Sequence, residues 1–301
     1  MGLPLEVDPN KKEYAIYENI EYQDYWKGQQ KIKLDELEHA LVTRLLPARG
    51  QRILDIGCGY ARLAPCYIDR FEQVVLLDGS VSLLKQAQEH TQNRAVYVAA
   101  DAMKLPFMPA AFDAVLLIRV LHHLSDVDAS FAEFNRVQQD NSLFLFTYNN
   151  KLSPMIIWKW LTGRVKFCPF DTAPSVANIH LLAHHPQFIR RSLRKANFKY
   201  HTELGAGVMD KLANYTGRFW RLVPMGLFWA PFFGWTHLAP WMFCSAHKNP
   251  TAGSSPSPAV SSAIFACPQC HSSLDEADQS LVCPSCQRAY PIVDGIYDFR
   301  L

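Results

Sequence analysis

From residue 52 onward, short runs of valine, isoleucine and leucine alternate with helix-length amphipathic segments, and this alternation restricts the chain to a parallel sheet wrapped by helices. The runs are Arg52 to Ile56, Gln73 to Leu77, Ala95 to Ala99, Phe112 to Ile118 and Ser142 to Tyr148. Helices are predicted over Ile32 to Leu46, Ala61 to Arg70, Ser80 to His90, Val127 to Val137 and Pro186 to Ala196, with Lys199 to Glu203 and Trp241 to His247 as two final strands. With 301 residues, 49% of them hydrophobic, the chain can bury a sizeable core, which excludes a disordered or collagen-like polymer. Its 8 cysteines are too few and too uneven for a small disulfide scaffold. No repeat of fixed period is present, so a solenoid or propeller is not expected. Met1 to Asn19 has no apolar run after a basic start, so neither a signal nor a transit peptide is visible and a reducing cytoplasm is the expected compartment.

After the first strand comes Leu54-Asp55-Ile56-Gly57-Cys58-Gly59-Tyr60-Ala61-Arg62, a strand tip turning directly into the next segment. Glycines there let the backbone approach a ligand closely. A dinucleotide fingerprint requires a third glycine where Arg62 stands, so NAD is disfavoured. Asp55, ahead of Gly57 and Gly59, suits a ligand with a cationic amino group instead of a phosphate. At the next strand tip, Asp78-Gly79-Ser80 places a carboxylate 19 residues beyond Gly59, near the spacing at which an acid pairs with ribose hydroxyls. Asp101-Ala102 offers another acid and a small residue at the third tip, where an adenine fits.

In that order, these elements resemble the class I S-adenosylmethionine-dependent methyltransferases of the type 11 branch, over about Asp35 to His247. The resemblance implies a doubly wound, Rossmann-like α/β fold with a seven-stranded sheet. It places Asp55, Gly57, Cys58 and Gly59 at the methionine end of the cofactor, Asp78, Gly79 and Ser80 at the ribose, and Asp101 with Ala102 at the adenine. Arg119, His122 and His123 then follow the fourth strand beside the transferring methyl. Ala61 stands where the family often has glycine, which implies a slightly tighter pocket. The family members that methylate exocyclic amines or glutamine amides carry Asn/Asp-Pro-Pro-Tyr after the fourth strand; here the run is Ile118-Arg119-Val120-Leu121-His122-His123, which disfavours such nitrogen acceptors. Leu121-His122-His123-Leu124 resembles the branch acting on quinone carbons, small-molecule oxygens and wobble-uridine carboxylates. One of the two histidines is a candidate general base, or both shape the cofactor pocket. Cys58 and Cys66 read as packing residues. The tyrosine-rich residues 1–34 are either a lid over the cofactor or a helix packing its aromatic face on the core.

Asn249 to Ala263 (NPTAGSSPSPAVSSA) has no charge and no apolar period, and reads as a flexible linker that keeps two cores separate. Beyond it, Cys267-Pro-Gln-Cys270 and Cys283-Pro-Ser-Cys286 form paired knuckles 12 residues apart. Four thiolates in that arrangement make a tetrahedral Zn2+ site, which a segment of about 38 residues needs in order to fold. The tail, residues 264–301, resembles the zinc-ribbon family that includes the activator subunit of tRNA, ribosomal RNA and release-factor methyltransferases, here fused in cis.

Charge is distributed unevenly: −5 over residues 1–150, +10 over 151–248 and −3 over the tail. The basic region is the part expected to meet an anionic partner, and the acidic tail is expected to dock on the chain's own catalytic domain, with that region as the candidate surface. Arg190, Arg191, Arg194 and Lys195 read most simply as a solvated helix face. Leu222 to Ala246 has no charged residue, but Pro224, Pro231 and Pro240 argue against one continuous membrane-spanning helix. Residues 151–240 are therefore expected to form the substrate side, with Leu222 to Leu238 as an aromatic, proline-broken cap. Such a cap suits a hydrophobic small-molecule or lipid-like acceptor at an anionic membrane surface, with tRNA as the runner-up and a catalytically silent cofactor-binding scaffold as a further alternative.

Overall fold

The computed structural model describes residues 29–178, 181–208, 225–250 and 264–300. The expected lid, residues 1–28 of it, and most of the linker lie outside the described residues. Five parallel strands form the centre: β1 (Gly50–Ile56), β2 (Phe71–Asp78), β3 (Val96–Ala99), β4 (Phe112–Leu117) and β5 (Gln138–Asn149). Their apolar runs are buried on both faces, as in β1, where residues 52–56 are all buried, because helices cover the sheet on each side. Two further strands, β8 (Phe198–Ala206) and β9 (Trp241–Lys248), complete the order β3-β2-β1-β4-β5-β9-β8, with β9 antiparallel to both neighbours. A separate small ribbon pairs β6 (Ser175–Asn178) with β7 (Leu181–Ala183).

Among the described residues the helices with both ends described are α1 (Gln29–Leu45), α2 (Val81–Thr91), α3 (Val127–Val137), α4 (Pro154–Leu161), α5 (Pro186–Lys195) and α6 (Gly226–Thr236). Ser80 caps α2 by accepting from the Leu83 amide at 3.3 Å, and Asp126 caps α3 through the Ala129 amide at 3.0 Å. Two helical expectations fail. Ala61 to Arg70 forms turns and a short 3-10 segment, Ala64–Cys66, instead of an α-helix, since Ala61 takes a left-handed φ of 61° and Pro65 supplies no amide. Conversely, Pro231 does not break α6, which runs through it for 11 residues. Its close seat on β8 depends on Gly234, where a Cβ would lie 2.1 Å from the Glu203 carbonyl oxygen. No helix among the described residues is long and apolar enough to cross a membrane.

The tail contributes β10 (Asp275–Ala277), β11 (Ser280–Val282), β12 (Ala289–Val293) and β13 (Ile296–Asp298), and it docks on the chain's own catalytic domain as expected, but on a different surface. It docks on the sheet edge rather than on the basic middle region: β13 pairs in parallel with β3, bringing Ile296 opposite Tyr97 and Asp298 opposite Ala99, so one sheet runs through eleven strands. The free edge of β3 offers a row of unpaired amides and carbonyls, a stronger attractor than diffuse charge. Nor does the linker keep the cores separate. Phe265 stacks on Phe107 at 5.9 Å, Met108 N–H donates to the Ile264 carbonyl at 2.8 Å, and Tyr290 and Phe299 join the same apolar cluster as β1, β4 and β5. We therefore expect one zinc per chain and, in calorimetry, a single transition that a chelator shifts downward as a whole; a ribbon melting independently of an unchanged sheet would contradict this coupling.

Candidate functional site

Strand order reverses between β1 and β4, the position at which an open α/β sheet forms a crevice beyond its strand ends. The turn leaving β1 lines it. Gly57 has a φ of 69° and a Cβ there would fall 2.4 Å from Val120 Cγ2, so the turn packs directly on the segment leaving β4. The Gly57 and Cys58 amides donate to the Leu77 carbonyl at 2.7 and 3.1 Å, and the Gly59 amide to Asp78 Oδ2 at 2.8 Å. Three successive amides that a dinucleotide fold aims at a pyrophosphate are thus committed to the tip of β2, consistent with a ligand bearing no phosphate there.

The acids predicted for this crevice do different work. Asp55 is buried and accepts from the Tyr67 hydroxyl at 2.5 Å; burial pushes its carboxyl up to about 6 against the opposing pull of that hydrogen bond and of Arg62. Asp78 also accepts from the Ser80 amide at 2.9 Å; burial raises its pKa against the pull of the Ser80, Gly59 and Gly79 amides, and the carboxylate oxygens keep lone pairs that hydroxyl donors can use. Asp101 lies at the tip of β3 and holds the Met103 amide at 2.9 Å, with Ala102 packed against the core beside it. Burial also drives the Cys58 and Cys66 thiols upward, which fits packing and not nucleophilic roles.

Glu38 was not singled out from sequence. It projects from α1 with no exposure and is gripped by two guanidiniums: Arg62 Nη2 at 2.7 Å, and Arg119 through Nε at 2.7 Å and through Nη2. Burial would push the Glu38 carboxyl up, but Arg119 and Arg62 outweigh it and hold it below the usual range. Arg62 also pairs with Asp35. Arg119 takes a φ of 60°, donates its amide to Thr147 Oγ1 at 2.7 Å and stacks its guanidinium 4.1 Å over Trp241. The residue placed beside the cofactor methyl by resemblance is therefore a strut joining α1, β5 and β9. The only hint in the sequence is an acid at an interior position of an otherwise apolar helix face, Leu34, Leu37, Glu38, Leu41.

On the far side of the crevice, the 3-10 turn Leu121–His123 carries His122, whose ring lies 4.1 Å from His123 and 5.5 Å from Trp241. His122 is nearly buried, and desolvation, followed by the charges of His123, Arg119 and His184, holds it well below the ordinary histidine range. Ten of the twelve exposed large hydrophobic side chains among the described residues fall between Trp158 and Leu238, with Phe228 and Trp235 of α6 at 77% and 80% exposure. Both α4 and α6 open from this rim, since Asn150 after β5 donates to the His237 and Ala239 carbonyls at 2.7 and 2.8 Å. The basic face of α5 is less free than expected: Arg190 pairs with buried Glu203 at 3.2 Å and Lys195 with Asp128 at 2.5 Å.

In the tail, Cys267, Cys270, Cys283 and Cys286 place their sulfurs within 4.8 Å of one another, with Cys267 to Cys286 at 3.6 Å and Cys270 to Cys283 at 3.4 Å. Tetrahedral Zn2+ with bonds of about 2.3 Å requires sulfurs about 3.8 Å apart, so the donor set fits that ion.

Residues 54–146 match the methyltransferase domain family Methyltransf_11, and residues 262–295 match the Trm112p-like protein family. The chain carries a type 11 methyltransferase domain followed by a Trm112p-like domain. It is similar to a malonyl-[acyl-carrier protein] O-methyltransferase of Legionella pneumophila, 34% identical over 133 residues, 42% of this chain and 45% of that protein. It is also similar to cycloartenol-C-24-methyltransferase of Arabidopsis thaliana, 30% identical over 141 residues, 44% and 41% of the two chains. The chain thus spans about half the length of the curated relatives it matches. The fold is shared with an S-adenosylmethionine dependent methyltransferase from Listeria monocytogenes (TM-score 0.54, 14% identity, 72% of this chain and 98% of that one). It is shared too with a chain from the complex between the Haloferax volcanii Trm112 methyltransferase activator and a methyltransferase (TM-score 0.53, 15% identity, 75% and 97%).

Within the methyltransferase domain, the family match begins at Leu54 and so leaves out α1 and Glu38, although this buried carboxylate ties the helix to the glycine turn and to the exit of β4. Replacing Glu38 by Ala removes the buried carboxylate that Arg119 and Arg62 share, leaving Arg62 its pair with Asp35, and we expect a loss of about 3 to 5 kcal/mol in stability, measured by urea unfolding.

Proposed function

We propose that this chain transfers a methyl group from S-adenosylmethionine to an oxygen or carbon of a hydrophobic small-molecule or lipid-like acceptor. The observation that carries the reading is the crevice between β1 and β4, where a phosphate-free glycine turn faces a desolvated carboxylate, Asp78, on one side and a histidine–tryptophan wall on the other. Asp78 with Gly79 and Ser80 would hold the ribose, Asp101 and Ala102 would flank the adenine, and Asp55, Gly57, Cys58 and Gly59 would line the methionine end. When bound, the sulfonium supplies an activated methyl carbon, whose bond to sulfur breaks with its electron pair retained on sulfur as the acceptor atom attacks. The chain's own contribution is positioning and exclusion of water, with His122 or His123 as the base where the acceptor must lose a proton. Burial keeps His122 neutral, so that it does not oppose a cationic cofactor, and also makes its ring a weaker proton acceptor.

Curated relatives named for O-methylation of a carrier-bound malonyl group and C-24 methylation of cycloartenol support an oxygen or carbon acceptor on an apolar body. The apolar rim of α4 and α6, within a region of balance +10, supports acceptor capture at an anionic membrane surface. A second reading, methylation of a tRNA carboxylate or base, is favoured by the fused Trm112p-like domain and by the fold shared with the Haloferax volcanii complex. A silent scaffold that binds the cofactor without transfer is the remaining alternative.

Two measurements test the proposal. Asp78→Ala should weaken S-adenosylmethionine binding by about 1.5 to 3 kcal/mol in calorimetry; full affinity in a folded variant would overturn the ribose assignment. The protein should sediment more strongly with anionic than with neutral vesicles, and the double change Trp229→Ala/Trp235→Ala should abolish this, since each large aromatic contributes about 1.5 to 3 kcal/mol on burial. Selective tRNA retention at physiological salt without vesicle association would favour the RNA reading.

A further inference from the structure

His184 is absent from the glycine motif, from the histidine pair and from the aromatic cap, yet it stands at the same crevice. It follows β7 and is laced to the end of β5: its amide donates to the Asn149 carbonyl at 2.8 Å, and its carbonyl accepts from the Lys151 amide at 3.0 Å. Its ring has no exposure and lies nearly parallel to Phe188, with centroids 6.1 Å apart. Neither Nδ1 nor Nε2 has a hydrogen-bond partner. His122 Nδ1, arriving from β4, is likewise buried and unpartnered. The Leu121–His123 turn packs on β7, and both histidines border the end of β5: His184 through its bond to Asn149, and His122 through the ring of Trp241, which pairs opposite Asn149. Buried nitrogens without partners cost folding free energy, and three of them on two packed strand ends are groups that a polar ligand would satisfy.

We propose that His122 and His184 form a two-imidazole hold for a hydroxyl group on the acceptor, fixing its oxygen at the crevice where the methyl is delivered. The chemistry of the pair selects this group. Each neutral imidazole offers one N–H and one bare nitrogen, and a hydroxyl, with one donor and two lone pairs, complements one of each. A carboxylate only accepts and would leave the bare nitrogens without a donor, and no third histidine, cysteine or acid among the described residues joins the pair to make a metal site. Burial, reinforced by the Lys151 charge, holds His184 down to about 4, so its bare nitrogen is available at neutral pH and adds no positive charge beside a sulfonium. His184 would be the point at which the substrate-side insertion between β5 and β8 reaches the reacting atoms. This inference rests on the methyltransferase reading only for the location of the acceptor.

The probes are 4-butylphenol and butylbenzene, which differ by one hydroxyl, titrated into the full chain with and without saturating S-adenosylhomocysteine and followed by tryptophan fluorescence. The phenol is expected to bind at least about ten-fold tighter, and His184→Phe, which keeps a ring beside Phe188, should bring the two within about two-fold. His122→Phe provides the same test from the other strand should His184→Phe fail to fold, and a ring 15N shift of His184 on adding the phenol reports direct contact. Equal binding of the two probes, no phenol binding up to millimolar concentration, or a preference untouched by both substitutions would overturn the proposal, leaving the nitrogens to water alone. S-adenosylhomocysteine bound with no hydroxyl preference sinks only this inference, whereas failure to bind that nucleoside sinks the methyltransferase reading.

Discussion

The buried carboxylate of Glu38 is the constraint around which the candidate site is arranged. A charge with no exposure must be fully paired, and the two guanidiniums that pair it come from opposite walls of the crevice, Arg62 beyond the β1 turn and Arg119 at the exit of β4. Satisfying Glu38 therefore fixes three things together: where α1 lies, how the segment after Gly59 turns, and where Arg119 sits beneath Trp241. Arg62 occupies the position where a dinucleotide fold needs a small residue, and its side chain is drawn back to α1. The same contact that disfavours NAD thus stabilises the turn.

The Trm112p-like domain is a continuation of this sheet and not an appendage to it. Its last strand satisfies the backbone edge of β3, and Arg300, braced by Asp298, reaches the Gly79 carbonyl at 3.3 Å, beside the carboxylate assigned to the ribose. The four-cysteine tail and the tip of β2, where the ribose site is proposed, are therefore linked by a few residues of shared backbone. Surface charge adds little: the Lys85 to Asp294 pair at 2.9 Å is exposed on both sides. Strand addition and the Phe107, Phe265, Phe299 cluster hold the domain in place.

The acceptor side follows a different logic. The insertion between β5 and β8 and α6 between β8 and β9 bury few of their large apolar side chains, and Asn150 binds the ends of both to one rim. A folded chain that leaves Phe228, Trp229, Phe232 and Trp235 exposed on one helix while closing its strands so tightly elsewhere has left a surface for an apolar partner. Around the ends of β5 and β7 lie buried polar groups, among them Asn150, Lys151, His184 and His185, and a site that grips an apolar body is oriented through such atoms.

Much of this protein was legible in its sequence. Strand periodicity, the glycine turn, acids at successive strand tips and paired knuckles are local signals, each set by a few adjacent residues, and the sheet, the crevice and the four-cysteine cluster follow from them. The sequence could not reveal contacts whose partners lie far apart along the chain. Glu38 reads as an ordinary helix acid until Arg62 and Arg119 are brought to it, 24 and 81 residues away. Arg190 reads as solvated until β8 places Glu203 against it. The surface on which the tail docks is hidden for the same reason: net charge can be counted along a sequence, whereas an unpaired strand edge exists only once the sheet has formed. Composition and local pattern determined the architecture and the chemistry carried at its strand ends; tertiary packing decided which charges are neutralised, which edge accepts the tail and which histidines are left without partners, because burial and pairing are properties of the folded assembly.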